Sequence, residues 1–227
     1  KCLGLAGATV ALNYANVKHR ADEALAELRG AGITAELFQA DVTSEADIDS
    51  MVTAIEKSLG PVDILVVNAT PAQPQKPIEE YDWAFYQQML DFFVKSPYLL
   101  SRRILPGMKD RRHGRLINVT SEVFLLGVSP FSAYVAAKGG QVGWSRSMAR
   151  ELAPFQITVN MIAPGWIPVE RHKDDPQAEK DAYLKTVPAG RWGVPDDVGW
   201  AAVYLASDEA GFVTGQSIAV NGGKTVW

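Results

Sequence analysis

The sequence has little of what marks several large protein classes. It contains one cysteine among 227 residues, so no disulfide can form within the chain, which fits a reducing compartment such as the cytoplasm. Its apolar runs fall short of the ~18 residues that a membrane-spanning helix needs. No basic stripe is present, because the 22 Lys and Arg are interleaved with 26 Asp and Glu. These absences predict a soluble cytoplasmic protein that binds neither a membrane nor nucleic acid.

The sequence also shows neither a set of residues at metal-ligand spacing nor a leader peptide. His113 and His172 have no partners at metal-ligand spacing. Residues 1–6 are too few to form the apolar segment of a signal peptide, and they contain no clear cleavage site. We therefore predict no metal site and no targeting segment.

What the sequence does contain is a regular alternation of apolar runs and stretches of helical period. The predicted strands are residues 8–14, 35–40, 64–68, 114–120, 158–163 and 217–220. With 47% apolar residues, the chain can bury one large core. Buried strands that alternate with helices specify an α/β fold, a doubly wound parallel sheet with helices on both faces. We predict a single domain over residues 1–227.

Four longer stretches between these runs are predicted helices. They are residues 17–31, 44–59, 82–110 and 132–152. Ser44 should cap the second, and Pro97 and Pro106 should interrupt the third. The least regular region, residues 165–194, is broken by three prolines and is predicted to be a mobile flap over a site.

The last of these helices carries a pair of side chains that can act together. Tyr134 and Lys138 are four residues apart, hence on one face of the helix. An isolated tyrosine has a pKa near 10, and lowering it toward about 7 requires about 4 kcal/mol of phenolate stabilisation, which an adjacent cation can supply in a partly dry pocket. The pattern alone is far more typical of a solvated helix pair, so its context decides the interpretation.

That context is Ser121, which ends a predicted strand thirteen residues before Tyr134. A strand-end Ser followed at this spacing by Tyr-x-x-x-Lys resembles the short-chain dehydrogenase/reductase family, and within it the 3-oxoacyl-carrier-protein-reductase-like subgroup. Further landmarks of the family are Asp41-Val42, Asn68-Ala69, Pro164-Gly165 and residues 214–223. The resemblance extends over nearly the whole chain and implies a Rossmann-like fold.

The resemblance implies an oxidoreductase that transfers a hydride between a nicotinamide cofactor and a carbonyl or alcohol substrate. In this family Tyr134 would be the general acid/base, Ser121 would bind the substrate oxygen, and Lys138 would hold the nicotinamide ribose. The residues implied to contact the cofactor are Asn13, Lys18, Asp41, Val42, Asn68, Ala69, Tyr134, Lys138, Pro164, Gly165 and Ile167. Pro-Gly and Asn-Ala are also ordinary turn formers, so those two pairs have a purely structural alternative.

The end of the second predicted strand bears on the choice of cofactor. An NAD-selective protein would carry an acid there, whereas this chain has Asn13 followed by Lys18, His19 and Arg20. These basic residues can pair with a 2′-phosphate, so NADP is favoured over NAD. The alternative is a basic first helical turn without a role in binding.

Phe93 departs from the family pattern. The family has an Asn at the matching position, which anchors a water in the proton relay, and Phe cannot bind that water. Val67, Thr70 and Val169 also replace the usual Asn, Gly and Thr. These changes predict unusual kinetics on an unchanged fold.

The flap and the segment after Ser121 supply the candidate substrate contacts. They are Phe124, Trp166, Ile167 and Arg171. This set suggests an apolar or aromatic carbonyl compound, although Trp166 could equally pack on the helix of the flap itself.

Two further interpretations concern function and assembly. A cofactor-free relative, either a lyase or dehalogenase-like enzyme or a binding protein, is the alternative to the oxidoreductase, but the retained Lys138 and the Ser–Tyr pair favour the oxidoreductase. Family members pair through the two long helices, which predicts a homodimer or homotetramer. The small residues suited to that contact are Ala136, Ala137, Gly139, Gly140 and Gly143.

The start of the sequence lacks the first strand and the glycine loop that hold the pyrophosphate in this family. Residues 1–6 resemble the helix that follows that loop. We therefore expect residues before Lys1, a break in the chain between Ala6 and Gly7, and no ordered dinucleotide.

Overall fold

The computed structural model describes residues 1–226, apart from the side chain of Arg171. All six predicted strands are present, with ends within two residues of the prediction, and every pairing between them is parallel. The strands are β1 (Val10–Tyr14), β2 (Ala35–Gln39), β3 (Ile64–Val67), β4 (Gly114–Val119), β5 (Ile157–Pro164) and β6 (Ser217–Val220). β1 pairs with β2, and the other four form a sheet in the order β3-β4-β5-β6.

Nine α-helices lie between and around the strands of the described chain. They are α1 (Cys2–Leu5), α2 (Lys18–Gly30), α3 (Glu45–Ser58), α4 (Trp83–Leu90), α5 (Ser96–Arg111), α6 (Val123–Leu126), α7 (Ser132–Leu152), α8 (Gln177–Leu184) and α9 (Pro195–Ala206). The bounds of α7 are those predicted, and Ser44 caps α3 by accepting the Asp47 N–H at 3.3 Å, as predicted. Within residues 1–226, no helix has the length and apolar character that crossing a lipid bilayer requires.

Helices cover the four-stranded sheet on both faces, which confirms the doubly wound α/β prediction. Successive residues of a strand point to opposite faces, and the two buried neighbours Leu116 and Ile117 join different core clusters. Leu116 packs with side chains of α3, α5 and α7, whereas Ile117 packs with Ala202 and Leu205 of α9. β4 and β5 are therefore buried on both faces, as central strands of a parallel sheet must be.

The long helix predicted over residues 82–110 is divided differently from the expectation. A π-helical segment, Asp91–Lys95, separates α4 from α5, and Pro97 follows it in the first turn of α5, where its missing N–H is not needed. The expected interruption at Pro106 was wrong, since α5 continues through it to Arg111. Pro106 and Arg102 are both exposed, so water can solvate the carbonyl that loses its partner.

α1 ends in a turn at Ala6 and Gly7, the place where a break in the chain is expected. The Gly7 N–H donates to the Gly4 carbonyl and the Ala8 N–H donates to the Leu3 carbonyl, both at 3.0 Å. Gly7 has a φ of 99°, which a glycine adopts without strain. This closing turn carries the chain from α1 toward β1.

The region predicted to be irregular, residues 165–194, contains more structure than expected. It carries a 3₁₀ turn, Glu170–His172, and the helix α8. We keep the name flap for residues 165–194.

The contact between α1 and α9 provides a test of the fold. A Cβ added at Gly199, inside α9, would lie 2.6 Å from the Cys2 sulfur. We expect Gly199→Ala to lower the free energy of unfolding by about 1–3 kcal/mol, as overpacking does. The Cys2→Ala/Gly199→Ala double variant should recover that loss, measured by urea denaturation. If α1 did not pack here, Gly199→Ala would instead stabilise the protein by up to ~1 kcal/mol through helix propensity.

Candidate active site

Ser121 lies at the carboxyl edge of the four-stranded sheet, just beyond β4. The hydroxyl of the preceding residue, Thr120, donates to the Ile162 carbonyl of β5 and fixes the end of the strand. The Ser121 Oγ accepts the Val123 N–H at 3.3 Å. The edge at which parallel strands end is where α/β proteins bind ligands, so Ser121 stands where a substrate group can reach it.

Tyr134 and Lys138 lie one turn apart in the first half of α7, as their spacing predicted. Both side chains are buried, with exposed fractions of 8% for Tyr134 and 3% for Lys138. The Tyr134 ring stacks on Phe131, with 4.8 Å between ring centroids. The Lys138 Nζ lies 5.6 Å from the centre of the Tyr134 ring. The interpretation as a solvated helix pair is therefore excluded.

The Lys138 ammonium also connects α7 to the strand that carries Ser121. Its Nζ donates to the Val119 carbonyl at 2.7 Å and to the Gln141 Oε1 at 3.1 Å. Val119 is two residues before Ser121. This bond holds the Tyr–Lys pair against the strand end and brings the three predicted catalytic residues to one region.

Phe93 occupies the middle of the π-helical segment and faces the same ammonium. It is 2% exposed, and the Lys138 Nζ lies 3.7 Å above the centre of its ring. The same ring meets Tyr134 edge-on, with centroids 5.3 Å apart. A cation over an aromatic face at this distance is an attractive contact, and π-helical bulges are frequent at functional sites.

The residues predicted to hold the adenosine end lie around the carboxyl ends of β1 and β2. The Asn13 amide nitrogen donates to the Ala40 carbonyl at 3.1 Å. The exposed Lys18 forms an ion pair with Asp22 at 2.8 Å. Asp41 accepts the Thr43 N–H and hydroxyl, while the Val42 side chain is buried in the core. The structure thus gives each of these side chains a local partner or a packing role at the predicted edge.

The two remaining turn pairs follow β3 and β5. Asn68 is exposed directly after β3, and Ala69 packs against the main core. Pro164 ends β5, and its carbonyl accepts the Glu122 N–H at 3.1 Å. A Cβ at Gly165 would lie 2.5 Å from the Tyr183 hydroxyl, so close packing explains this glycine as well as cofactor contact does.

The aromatic side chains of the flap pack on one another. The Trp166 ring meets Tyr183 and Trp192 edge-on, with centroids 5.4 and 5.7 Å apart, and Tyr183 stacks on Trp192. Trp166 thus packs on the helix of its own flap, the alternative that the sequence left open. Ile167 contacts Gly193. These groups line a cavity of about 380 Å³ between the flap and the end of β6.

Of the other two candidate substrate contacts, Phe124 is described and Arg171 is not. The Phe124 ring lies on α7, where its Cε2 would be 3.0 Å from a Cβ at Gly139. It therefore packs on α7 beside the residue that follows Lys138. The Arg171 side chain lies outside the described part of the chain.

A buried carboxylate beside Ser121 was missed by sequence reasoning. Glu122 is 3% exposed and accepts the Tyr183 hydroxyl at 2.7 Å and the Asn221 Nδ2 at 3.0 Å, with the Lys224 Nζ 3.5 Å away. Burial raises the pKa of the Tyr183 phenol, so this hydroxyl stays a donor. Glu122 thus ties α8 of the flap to the ends of β4 and β6. The sequence signal that could have identified Glu122 is an acidic residue directly after Ser121.

Gln141 is the second residue that the sequence did not reveal. It is fully buried and lies three residues after Lys138 and seven after Tyr134, on the same face of α7. A glutamine at that spacing, among small residues, was the signal that could have identified it.

Comparison with known proteins agrees with this geometry. A family model described as enoyl-(acyl carrier protein) reductase matches residues 2–225. The chain is 34% identical to a 2-dehydro-3-deoxy-D-gluconate 5-dehydrogenase of Formosa agariphila, over 98% of this chain and 85% of the relative. It is 39% identical to the 3-oxoacyl-(acyl-carrier-protein) reductase FabG of Vibrio cholerae, over 81% of this chain and 75% of the relative.

A solved structure has the same fold. The gluconate 5-dehydrogenase of Burkholderia cenocepacia, crystallised with NADP and tartrate, superposes with a TM-score of 0.90 at 29% identity, covering 98% of this chain and 88% of that one. The chain therefore belongs to the enoyl-(acyl carrier protein) reductase family of short-chain dehydrogenases/reductases, NAD(P)-dependent oxidoreductases that transfer hydride between the cofactor and a carbonyl or alcohol group.

Proposed function

We propose that this chain is an NADP-dependent carbonyl reductase and alcohol dehydrogenase in which Tyr134 is the general acid and base. The observation that carries the proposal is the buried Lys138 ammonium beside the Tyr134 ring and bonded to the strand of Ser121. A cation in a site with little water favours the phenolate form of a neighbouring tyrosine. Tyr134 can therefore exchange a proton near neutral pH.

The side chains at the sheet edge fit a dinucleotide. Exposed cations after β1 suit a phosphate, and polar groups after β2 and β3 suit the adenosine, while the Tyr134 and Lys138 donors suit ribose hydroxyls. The residues that would hold the cofactor are Asn13, Lys18, Asp41, Val42, Asn68, Ala69, Tyr134, Lys138, Pro164, Gly165 and Ile167. When bound, the nicotinamide supplies or accepts the hydride.

The protein side chains supply the proton and stabilise the charge on the substrate oxygen. The Ser121 oxygen already accepts the Val123 N–H, so its own proton is available to donate to the substrate oxygen. Tyr134 donates the proton in reduction and must be ionised to accept it in oxidation. The rate of reduction should therefore fall, and that of oxidation rise, as the pH increases through the ionisation of Tyr134.

The names of the relatives support a proposal for the substrate class. Gluconate derivatives and 3-oxoacyl groups both carry a secondary alcohol or ketone on a chain that ends in an acid or a thioester. We therefore assign a hydroxy or oxo group on an acyl chain to this site. The assay uses D-gluconate with NADP, and a 3-oxoacyl thioester with NADPH.

A binding experiment tests the proposal before any substrate is known. The protein is titrated with NADPH and with NADH while the nicotinamide fluorescence is followed. We expect saturable binding of NADPH. Failure to bind either nucleotide would overturn the proposal in favour of a cofactor-free relative.

Removal of the Tyr134 hydroxyl tests the central role. We expect Tyr134→Phe to lower kcat by at least ~100-fold, the lower end of what general acid catalysis contributes, while NADPH binding persists. The matched control is Tyr204→Phe, which removes an exposed phenol from α9 and should keep the parent turnover. Unchanged turnover in Tyr134→Phe would remove Tyr134 from this role.

The basic residues after β1 predict the cofactor preference. Lys18 is already paired with Asp22, so Arg20 is the sharper probe. We expect Arg20→Ser to raise the KM for NADPH about fivefold and to leave that for NADH unchanged, because an exposed charge pair contributes up to ~1 kcal/mol. Lys57→Ser, at the end of α3, is the control. A parent protein that prefers NADH would contradict the assignment.

We also infer that the chain forms a homo-oligomer through α5 and α7. Ala136, Gly140 and Gly143 are exposed along one face of α7, while Ala137 is buried and Gly139 is half-buried. Beside this face lies a groove of about 450 Å³, lined by Leu90, Val94, Tyr98 and Trp144 among others. Small residues let a second helix approach closely, and the groove offers it apolar surface.

Gly143 allows this interface to be tested without disturbing the fold. Nothing in the described chain lies within 4 Å of a Cβ added at Gly143 or at Gly30. We expect Gly143→Glu to shift the mass measured by light scattering to that of the monomer, and Gly30→Glu to leave it unchanged. A parent protein that is already monomeric would refute this assignment.

A further inference from the structure

Gln141 makes one well-defined contact with the catalytic region. It lies inside α7 with no exposed surface, and its Oε1 accepts the Lys138 ammonium at 3.1 Å. An ammonium can only donate hydrogen bonds, so chemistry fixes which end of the amide faces Lys138. The carboxamide is therefore an oriented acceptor for this cation.

The other end of the same amide has no partner within the described residues. The Gln141 Nε2 is buried and without a hydrogen bond, and an unsatisfied buried donor costs about 1–3 kcal/mol. A methionine or leucine of similar size would avoid that cost. A glutamine at this position therefore lowers the stability of the fold. The contact that it makes and an apolar side chain could not make is the one between its Oε1 and the Lys138 ammonium.

Two further groups confine the ammonium. The Val119 carbonyl of β4 accepts it at 2.7 Å, and the Phe93 ring of the π-helical segment faces it at 3.7 Å. Phe93 offers no hydrogen-bond acceptor, so the side-chain oxygen closest to Nζ in this set is that of Gln141. Three structural elements therefore meet at one buried cation.

We propose that Gln141 is a positioning residue of the active site, whose amide oxygen, together with the Phe93 ring, fixes the Lys138 ammonium beside Tyr134. The inference rests on the proposed pairing of Tyr134 with Lys138. Gln141 does not touch the reacting atoms. It acts by keeping the charge of Lys138 in place, and so sets the electrostatic field at the Tyr134 phenol.

The other titratable groups on elements packed against this part of α7 have partners of their own or are exposed. They are Tyr81, Tyr86, Asp91, Lys95 and Glu122. The Tyr81 hydroxyl donates to the Pro74 carbonyl. Tyr86 bonds to Ser132, Asp91 accepts the Gln87 amide, and Glu122 accepts Tyr183 and Asn221. Lys95 is exposed to solvent. A change at Gln141 should thus register first at Lys138 and Tyr134.

The test follows the ionisation of Tyr134 directly, without cofactor or substrate. Tyrosine labelled with ¹³C at the ζ carbon is incorporated, and the Tyr134 signal is assigned by its loss in Tyr134→Phe. Four variants are titrated beside the parent: Lys138→Met, Gln141→Met, Gln141→Glu and Thr158→Val. Thr158→Val is the control. It removes another buried polar atom without a partner in the described chain, near the amino end of β5 and away from the sheet edge that carries Ser121.

We expect Gln141→Glu to raise the midpoint of Tyr134 ionisation by about one pH unit or more, since a carboxylate cancels the field of the ammonium. Gln141→Met should raise it by a smaller amount, and Thr158→Val should not move it. Circular dichroism verifies folding, and Gln141→Leu replaces the Met variant if that one does not fold.

Two results would overturn the inference, and they are distinguishable. If Lys138→Met moves the midpoint and neither Gln141 variant moves it more than Thr158→Val does, Gln141 has no positioning role and the proposed function stands. If Lys138→Met itself leaves the midpoint unchanged, the proposed pairing of Tyr134 with Lys138 fails, and the role of Gln141 fails with it.

Discussion

The burial of one positive charge governs the arrangement of the candidate active site. Removing an ammonium from water costs several kcal/mol unless acceptors compensate for it. Lys138 is compensated by a main-chain carbonyl of β4, by the Gln141 amide oxygen and by the face of Phe93. Each partner comes from a different part of the chain, so the position of Lys138 depends on the correct packing of β4, α7 and the π-helical segment together.

Glycines next to Lys138 allow this packing. A Cβ at Gly139 would lie 3.0 Å from Phe124 of α6, and a Cβ at Gly140 would lie 3.1 Å from Val94 of the π-helical segment. Because neither residue has a Cβ, Phe124 and Val94 can approach α7 closely. In a buried site the low local dielectric strengthens the electrostatic effect of the Lys138 ammonium on the Tyr134 phenol. The buried Gln141 and the glycines beside it both serve to hold that ammonium in place.

A buried negative charge stands on the other side of Ser121. Glu122 is held by Tyr183, Asn221 and Lys224. The Tyr183 hydroxyl in turn accepts the main-chain N–H of Trp166 at 2.7 Å. This network anchors the flap to the ends of the strands. Ser121 thus lies between two anchored charges: Lys138, which ties α7 to β4, and Glu122, which ties the flap to the strand ends.

Much of the fold, and the placing of three candidate site residues in one region, could be predicted from the sequence. The six strands follow from apolar runs, and the shared helix face of Tyr134 and Lys138 follows from their spacing, because these patterns are local. The roles of Tyr134, Lys138 and Ser121 are implied by the family resemblance. The π-helical segment and the continuous α5 at Pro106 could not be predicted, since they depend on how Phe93 packs and on which carbonyls face water. Gln141 and Glu122 were missed because burial gives them their roles, and sequence spacing does not report burial.

The charge state of Lys138 is the most direct test of this account. Lysine labelled with ¹³C at the ε carbon is incorporated into the protein, and the Lys138 signal is assigned by its loss in Lys138→Met. The account predicts that this signal keeps the chemical shift of an ammonium throughout the neutral pH range in the absence of cofactor. A signal that titrates to the neutral amine below neutral pH would show that the three partners do not stabilise the charge, and it would contradict the account.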